Sequence, residues 1–123
     1  MAIITTKNEN KLLKVSVDGR LSFNEMLPVT DEYYSNPNIE IILWDFRNAA
    51  IIRNSGDLVA LVAKNNGKVS SLNTLAVKKV LFVTDKLEDY ALLCVYTHMF
   101  KSNSSNIDYH VCRTMDDANE WLR

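Results

Sequence analysis

The residues best placed to do chemistry in this chain are Asp45 and Arg47, which close the apolar run Ile39 to Phe46, together with Arg53, Asn54 and Ser55 a few positions later. Two guanidinium groups beside the positive amino end of a helix suit a phosphate or a carboxylate, and Asn54-Ser55-Gly56-Asp57 has the composition of a helix start. The plainer arrangement of the same residues pairs Asp45 with Arg47 or a backbone N–H, uses Asn54 or Ser55 as an N-cap, and sets Asp57 against the helix dipole. Either way, a strand end and a helix start meet there, which is the rim where open α/β sheets receive ligands and partners.

Other reactive side chains form no machinery. His98 falls in an apolar helix and His110 in an edge strand, without the His or Cys spacing that a metal requires. Cys94 and Cys112 are the only cysteines, and each sits in apolar surroundings with no adjacent base to make a thiolate. The chain has 3 glycines and no glycine-rich phosphate cradle. A nucleophile, a base and an oxyanion donor cannot be assembled from neighbouring motifs, so the expectation is a non-enzymatic protein with no catalytic residues, no metal and no cofactor.

Alternating and helical patterns define the elements that carry these residues. Ile3 and Ile4 open a strand, Lys7-Asn8-Glu9-Asn10 reads as a turn, and Leu13, Val15 and Val17 alternate with polar residues to complete a half-exposed hairpin. Ser22 and Glu25 form a capping-box helix start, and Pro28 must kink or restart that helix. In the following strand Ile41 and Leu43 face one way while Ile42, Trp44 and Phe46 face the other, as in the middle of a mainly parallel sheet. A helix is expected from about Ser55 to Asn66, with Leu58, Leu61 and Val62 inward and Asn66-Gly67 as its stop. Val80 to Val83 makes a buried strand, a helix runs from Asp85 to about Phe100, and Ile107, Tyr109 and Val111 alternate in a last strand that looks like a sheet edge. Thr114 caps a terminal helix whose inner residues are Met115, Ala118 and Leu122. The order ββαβαβαβα predicts an α/β fold with a mixed five-stranded sheet, an initial β-hairpin and about four helices.

The segments Leu12 to Val15, Ile42-Leu43-Trp44-Asp45-Phe46-Arg47-Asn48-Ala49, Val80 to Val83 with its aliphatic helix, and Arg113 to Leu122 together resemble the SpoIIAA-like proteins. That resemblance covers essentially the whole chain. It implies the fold of the STAS domains of bacterial anti-sigma-factor antagonists, shared with the lipid-carrying CRAL-TRIO domains, and it brings no catalytic motif. In STAS antagonists a strand ending in Asp is followed by Asp-Ser-Ser-Gly at a helix start, and the first Ser is the phosphoacceptor. The corresponding residues here are Arg53-Asn54-Ser55-Gly56, so an amide that cannot be phosphorylated stands at the acceptor position, and Ser55 keeps a hydroxyl one place later.

Composition narrows the classes further. A chain of 123 residues suits one domain spanning 1–123, and a formal net charge of −1 with scattered Lys and Arg excludes the electrostatic footprint of a nucleic-acid binder. The start lacks the features of a signal peptide, and no apolar run approaches the roughly 20 residues of a membrane span. The expectation is a reduced, cytoplasmic protein. One helix is unusual: Tyr90 to Phe100 contains no fixed charge, so its apolar side chains point in nearly every direction. Leu87, Ala91, Cys94 and Val95 are expected to pack inward. That leaves Leu92, Tyr96, Met99 and Phe100 for a homodimer interface or an apolar pocket, unless Trp121 and Leu122 of the terminal helix cover them. Two functions follow: a regulatory domain that binds a protein partner at the Asp45 to Asp57 rim, or a carrier of a small apolar or amphiphilic ligand.

Overall fold

Alternating Leu13, Val15 and Val17 and the doubly apolar stretch around Trp44 lay down strands that need cover on different numbers of faces, and the sheet is arranged accordingly. The computed structural model describes residues 2–33, 36–52, 77–102 and 107–122, without the side chains at 23, 31 and 99–102. Its strands β1 (Ile3–Glu9), β2 (Leu12–Leu21), β3 (Ile41–Ile51), β4 (Lys79–Val83) and β5 (Asp108–Cys112) form one sheet in the order β1-β2-β3-β4-β5. β1 runs antiparallel to β2, and all other pairs are parallel. The α-helices among the described residues are α1 (Leu27–Tyr33), α2 (Leu87–Ser102) and α3 (Met115–Leu122). The helix expected over Ser55 to Asn66 lies outside the described residues.

The hairpin turn is tighter than the sequence suggests. Lys7 to Glu9 continue β1, and only Asn10 and Lys11 turn, both with positive φ (48° and 69°). Such a two-residue turn matches the strand twist, and Asn tolerates the left-handed region that Lys enters at a cost. After β2, Ser22 starts a 3-10 turn over Phe23–Met26, its N–H donating to Glu25 Oε2 at 3.3 Å. Leu27 N–H closes that turn on Asn24 O, and α1 restarts around Pro28, which has no N–H to offer.

Each sheet face has its own core. Trp44, Phe46, Val80 and Phe82 lie under α1 and α2 with Met26, Leu93 and Tyr96. Leu43, Leu81, Val83 and Cys112 lie under α3 with Ala118 buried and Met115, Trp121 and Leu122 packed alongside. Trp44, Phe46 and Phe82 form a cluster of rings at 5.7 to 6.3 Å, and Tyr96 meets Phe82 edge-on at 5.7 Å. Burial of these aromatic groups on β3 and β4 is the main apolar contribution of this layer.

The phase of α2 differs from the expected one. Asp89, Leu93, Tyr96 and Thr97 are buried, and Leu92 and Cys94 are half-buried against the core, whereas Leu87 is 65% and Val95 53% exposed, with Ala91 exposed between them. An uncharged helix has no polar face to set its rotation, so sequence periodicity cannot select the inner stripe. Asp89 selects it: the buried carboxylate Oδ2 accepts Ile51 N–H at 3.4 Å and fixes which side of the first turn meets β3. Leu93→Ala is therefore expected to destabilise the fold by about 2–5 kcal/mol and Val95→Ala by less than about 0.5 kcal/mol in urea unfolding. The reverse ranking would restore the phase expected from sequence.

Candidate functional site

β3 outruns β4, and the site lies where it does. Pairing of β3 with β4 ends at Asp45 opposite Val83, while β3 continues beside β2 to Ile51. Ser16 pairs with Asp45 but Asp18 pairs with Asn48, so Phe46 and Arg47 occupy the interval that Val17 fills alone on β2. This bulge reverses the alternation. Before it Ile42, Trp44 and Phe46 face the α2 core, and after it Ala49 and Ile51 do, leaving Asn48 and Ala50 exposed. Gly19, which pairs with Ala49, has φ of 100° and accommodates the distortion where a side chain would resist it.

At the bulge Asp45 and Arg47 close on one another. Asp45 Oδ1 accepts Arg47 N–H at 3.1 Å and Arg47 Nε at 2.9 Å, and Oδ2 accepts Arg47 Nη2 at 2.8 Å. The Asp45 side chain is 11% exposed and that of Arg47 41%, so the pair is sunk at its acidic end and open at its basic end. These hydrogen bonds, with the guanidinium charge added, hold the Asp45 carboxyl below its usual range against the opposing effect of burial. The same contact raises Arg47 further above its already high value. Next to them Lys86 Nζ donates to Arg47 O at 3.0 Å and to Asp85 Oδ1 at 3.4 Å, bringing the α2 start onto the strand end.

The sequence-derived site is thus brought together in part. Asp45 and Arg47 meet in the plainer of the two arrangements, as an ion pair satisfied within the chain. Arg53, Asn54 and Ser55 lie outside the described residues. Lys86 and Asn48 join the rim, and neither was singled out from sequence; the bulge that exposes Asn48 leaves no signal in residue types. On α2, Tyr96 is a core residue 2% exposed and Leu92 packs half-buried beside it, so neither faces a separate surface as expected. The side chains of Met99 and Phe100 are outside the description. Trp121 and Leu122 pack under the opposite sheet face and do not cover α2.

Elsewhere the reactive groups are quiet. Burial pushes the Cys112 thiol up to about 11, which keeps it protonated and un-nucleophilic at neutral pH. His98 is exposed, and His110 stacks on Trp121 with ring centroids 5.0 Å apart. Among the described residues no group of three or more His, Cys, Asp and Glu side chains is arranged to hold a metal ion, and no helix is long and apolar enough to cross a membrane.

No family model matches the chain, and a search of curated proteins finds no match. Solved structures do match. An anti-sigma-factor antagonist from Mycobacterium paratuberculosis superposes with a TM-score of 0.58 at 15% identity, covering 100% of this chain and 95% of that one. An uncharacterized protein from Shewanella loihica with a SpoIIAA-like fold gives 0.56 at 16% identity, covering 99% and 94%. The Bacillus cell fate determinant SpoIIAA in its phosphorylated form gives 0.56 at 10% identity, covering 98% and 100%. At such identities the likeness establishes the fold: this chain has the SpoIIAA-like α/β fold.

The Asp45 contact has a pH signature. A carboxyl whose folded pKa lies below its unfolded value of about 3.9 stabilises the fold above that value, and the contribution is lost as pH falls through the folded pKa. Asp45→Asn is expected to lower stability at pH 7 by about 1–2 kcal/mol, the exposed end of Arg47 keeping the figure small. In urea unfolding the gap from the parent protein should narrow below about pH 4. A gap that stays constant down to pH 2 would remove the ion pair as its cause.

Proposed function

We propose that this protein is a non-enzymatic, cytoplasmic regulatory domain, one unit over residues 1–123, that binds a protein partner through the rim formed by the end of β3 and the segment after it, Asp45 to Asp57. The observation that carries this reading is the SpoIIAA-like fold over the whole chain, shared with a structure described as an anti-sigma-factor antagonist. A partner-binding role needs no catalytic group, and it makes use of a rim where polar side chains are offered on a rigid strand. The bulge supports it further, because it turns Asn48 outward beside the open end of Arg47 while Asp45 and Lys86 each hydrogen-bond the Arg47 backbone.

The substitution at the phosphoacceptor position gives the proposal its particular form. With Asn54 where the resemblance places the acceptor Ser, binding at this rim is not switched off by phosphate at that residue. Ser55 is the remaining hydroxyl in the segment, and Arg53 replaces the acidic residue before it. The rim therefore carries a cationic side chain where an antagonist carries an anionic one, which suits a partner surface with carboxylates.

Charge changes test the rim, with the ion pair dictating which ones are informative. Reversing Arg47 would set a carboxylate against Asp45 and disturb the fold, so the paired change Asp45→Asn with Arg47→Gln and the single change Arg53→Glu are the suitable variants. Both are expected to keep a near-parental melting temperature, within about 4 °C, and to reduce quantitative recovery of the principal partner in affinity capture from host cells by about tenfold. Equal recovery by all three proteins would remove the rim as the binding surface.

A further inference from the structure

The far edge of the sheet offers a second surface, separated from the β3 rim by β4. β5 is the last strand of the sheet, and its alternation decides which backbone groups remain open. Asp108 N–H donates to Lys78 O at 2.8 Å, and Cys112 O accepts from Thr84 N–H at 3.0 Å, so the even-numbered residues of β5 turn their polar groups toward β4. Val111, between them, turns its N–H and C=O to the open side, where they have no partner among the described residues. Edge strands are usually protected by proline, by a bulge or by charge along the strand. Asp108-Tyr109-His110-Val111-Cys112 has neither of the first two, and its one fixed charge is at its start.

A cleft of about 540 Å³ runs along this edge. One wall comes from the α2 side, Tyr90 with Arg113, whose guanidinium lies 5.9 Å above the Tyr90 ring. The other comes from α3, Asp117, Glu120 and Trp121, with Trp121 held in place by stacking on His110 and by Lys79 Nζ 5.1 Å from its ring. The floor is thus the β5 edge with the open backbone groups of Val111, and the walls are two aromatic rings, one attended by a cation and one by two exposed carboxylates.

We propose that this edge is a docking site for an extended peptide segment of a protein partner, which adds as a strand beside β5 and sets basic side chains against Asp117 and Glu120 and an acidic side chain against Arg113. Successive residues of an added strand point to opposite faces, so a segment alternating acidic or apolar with basic residues meets both walls at once. A second copy of this chain fits the edge poorly. Antiparallel pairing of β5 with its own copy keeps both α3 helices on one face of the joined sheet and brings Asp117 and Glu120 of each toward the same pair of the other. Four carboxylates would then share one groove, whereas a lysine-bearing strand neutralises them.

The probe is the fluorescein-labelled peptide Glu-Lys-Val-Lys-Glu, acetylated and amidated, titrated against the full chain by fluorescence anisotropy. Controls are the same peptide N-methylated on alternate residues, in both frames, and the charge-swapped peptide Lys-Glu-Val-Glu-Lys. The expected result is saturable binding of the first peptide, loss of about tenfold in affinity in one N-methylated frame, and weaker binding of the charge-swapped peptide. The surface variant Asp117→Lys with Glu120→Lys should reverse the preference between the two charged peptides while leaving the melting temperature near the parental value. Absence of saturable binding at millimolar peptide, tolerance of N-methylation in both frames, or an unchanged preference in the double variant would each overturn the proposal. So would a dimer, by sedimentation, that the variant Val111→Pro converts to monomer.

Discussion

Beyond Asp45 the backbone of β3 has no ladder partner on its β4 side among the described residues, and much of the arrangement follows from how its groups are met there. A buried N–H left without a partner costs about 1–3 kcal/mol, so the groups freed where β4 stops must be met by something else. The start of α2 meets them. Asp89 Oδ2 takes the Ile51 N–H, and Lys86 Nζ gives to the Arg47 carbonyl. Asp89 is 3% exposed, a position that a carboxylate tolerates only when hydrogen-bonded, and it sits in the first turn of a helix, where the dipole favours negative charge.

That single docking orders the layer above the sheet. With Asp89 inward, Leu93, Tyr96 and Thr97 follow on the same side of α2, and Tyr96 reaches the ring cluster of Trp44, Phe46 and Phe82. Leu87, Ala91 and Val95 turn outward, one helical turn apart. On the other side of the bulge the same strand end presents Arg47 and Asn48. The polar rim and the phase of α2 are two consequences of β3 being longer than its neighbour.

The two surfaces proposed for partner binding differ in physical kind. The β3 rim is a side-chain surface, held by an internal ion pair whose acidic half is nearly buried, so what it offers is charge and shape. The β5 edge presents backbone groups of Val111 between unlike walls, so in the proposed docking the ladder would supply affinity and the walls direction. Both sit on strands of the same sheet, whose pairing fixes the direction in which their groups point.

Sequence by itself determined the layout, because burial leaves its mark on residue types. β3 alternates between two apolar faces, so its central position was legible from Ile41 to Phe46, as were the capping residues Ser22 and Thr114 and the edge character of β5. The Asp45–Arg47 pairing was one of the two arrangements the sequence left open, and the structure adopts it across the bulge. What only the tertiary structure decided were the quantities that depend on where neighbours end: the continuation of β3 to Ile51, the bulge at Phe46 and Arg47, and the rotation of α2. Strand length and register are set by pairing across the sheet, and an uncharged helix takes its phase from whatever it docks against, so neither is written in the spacing of its own residues.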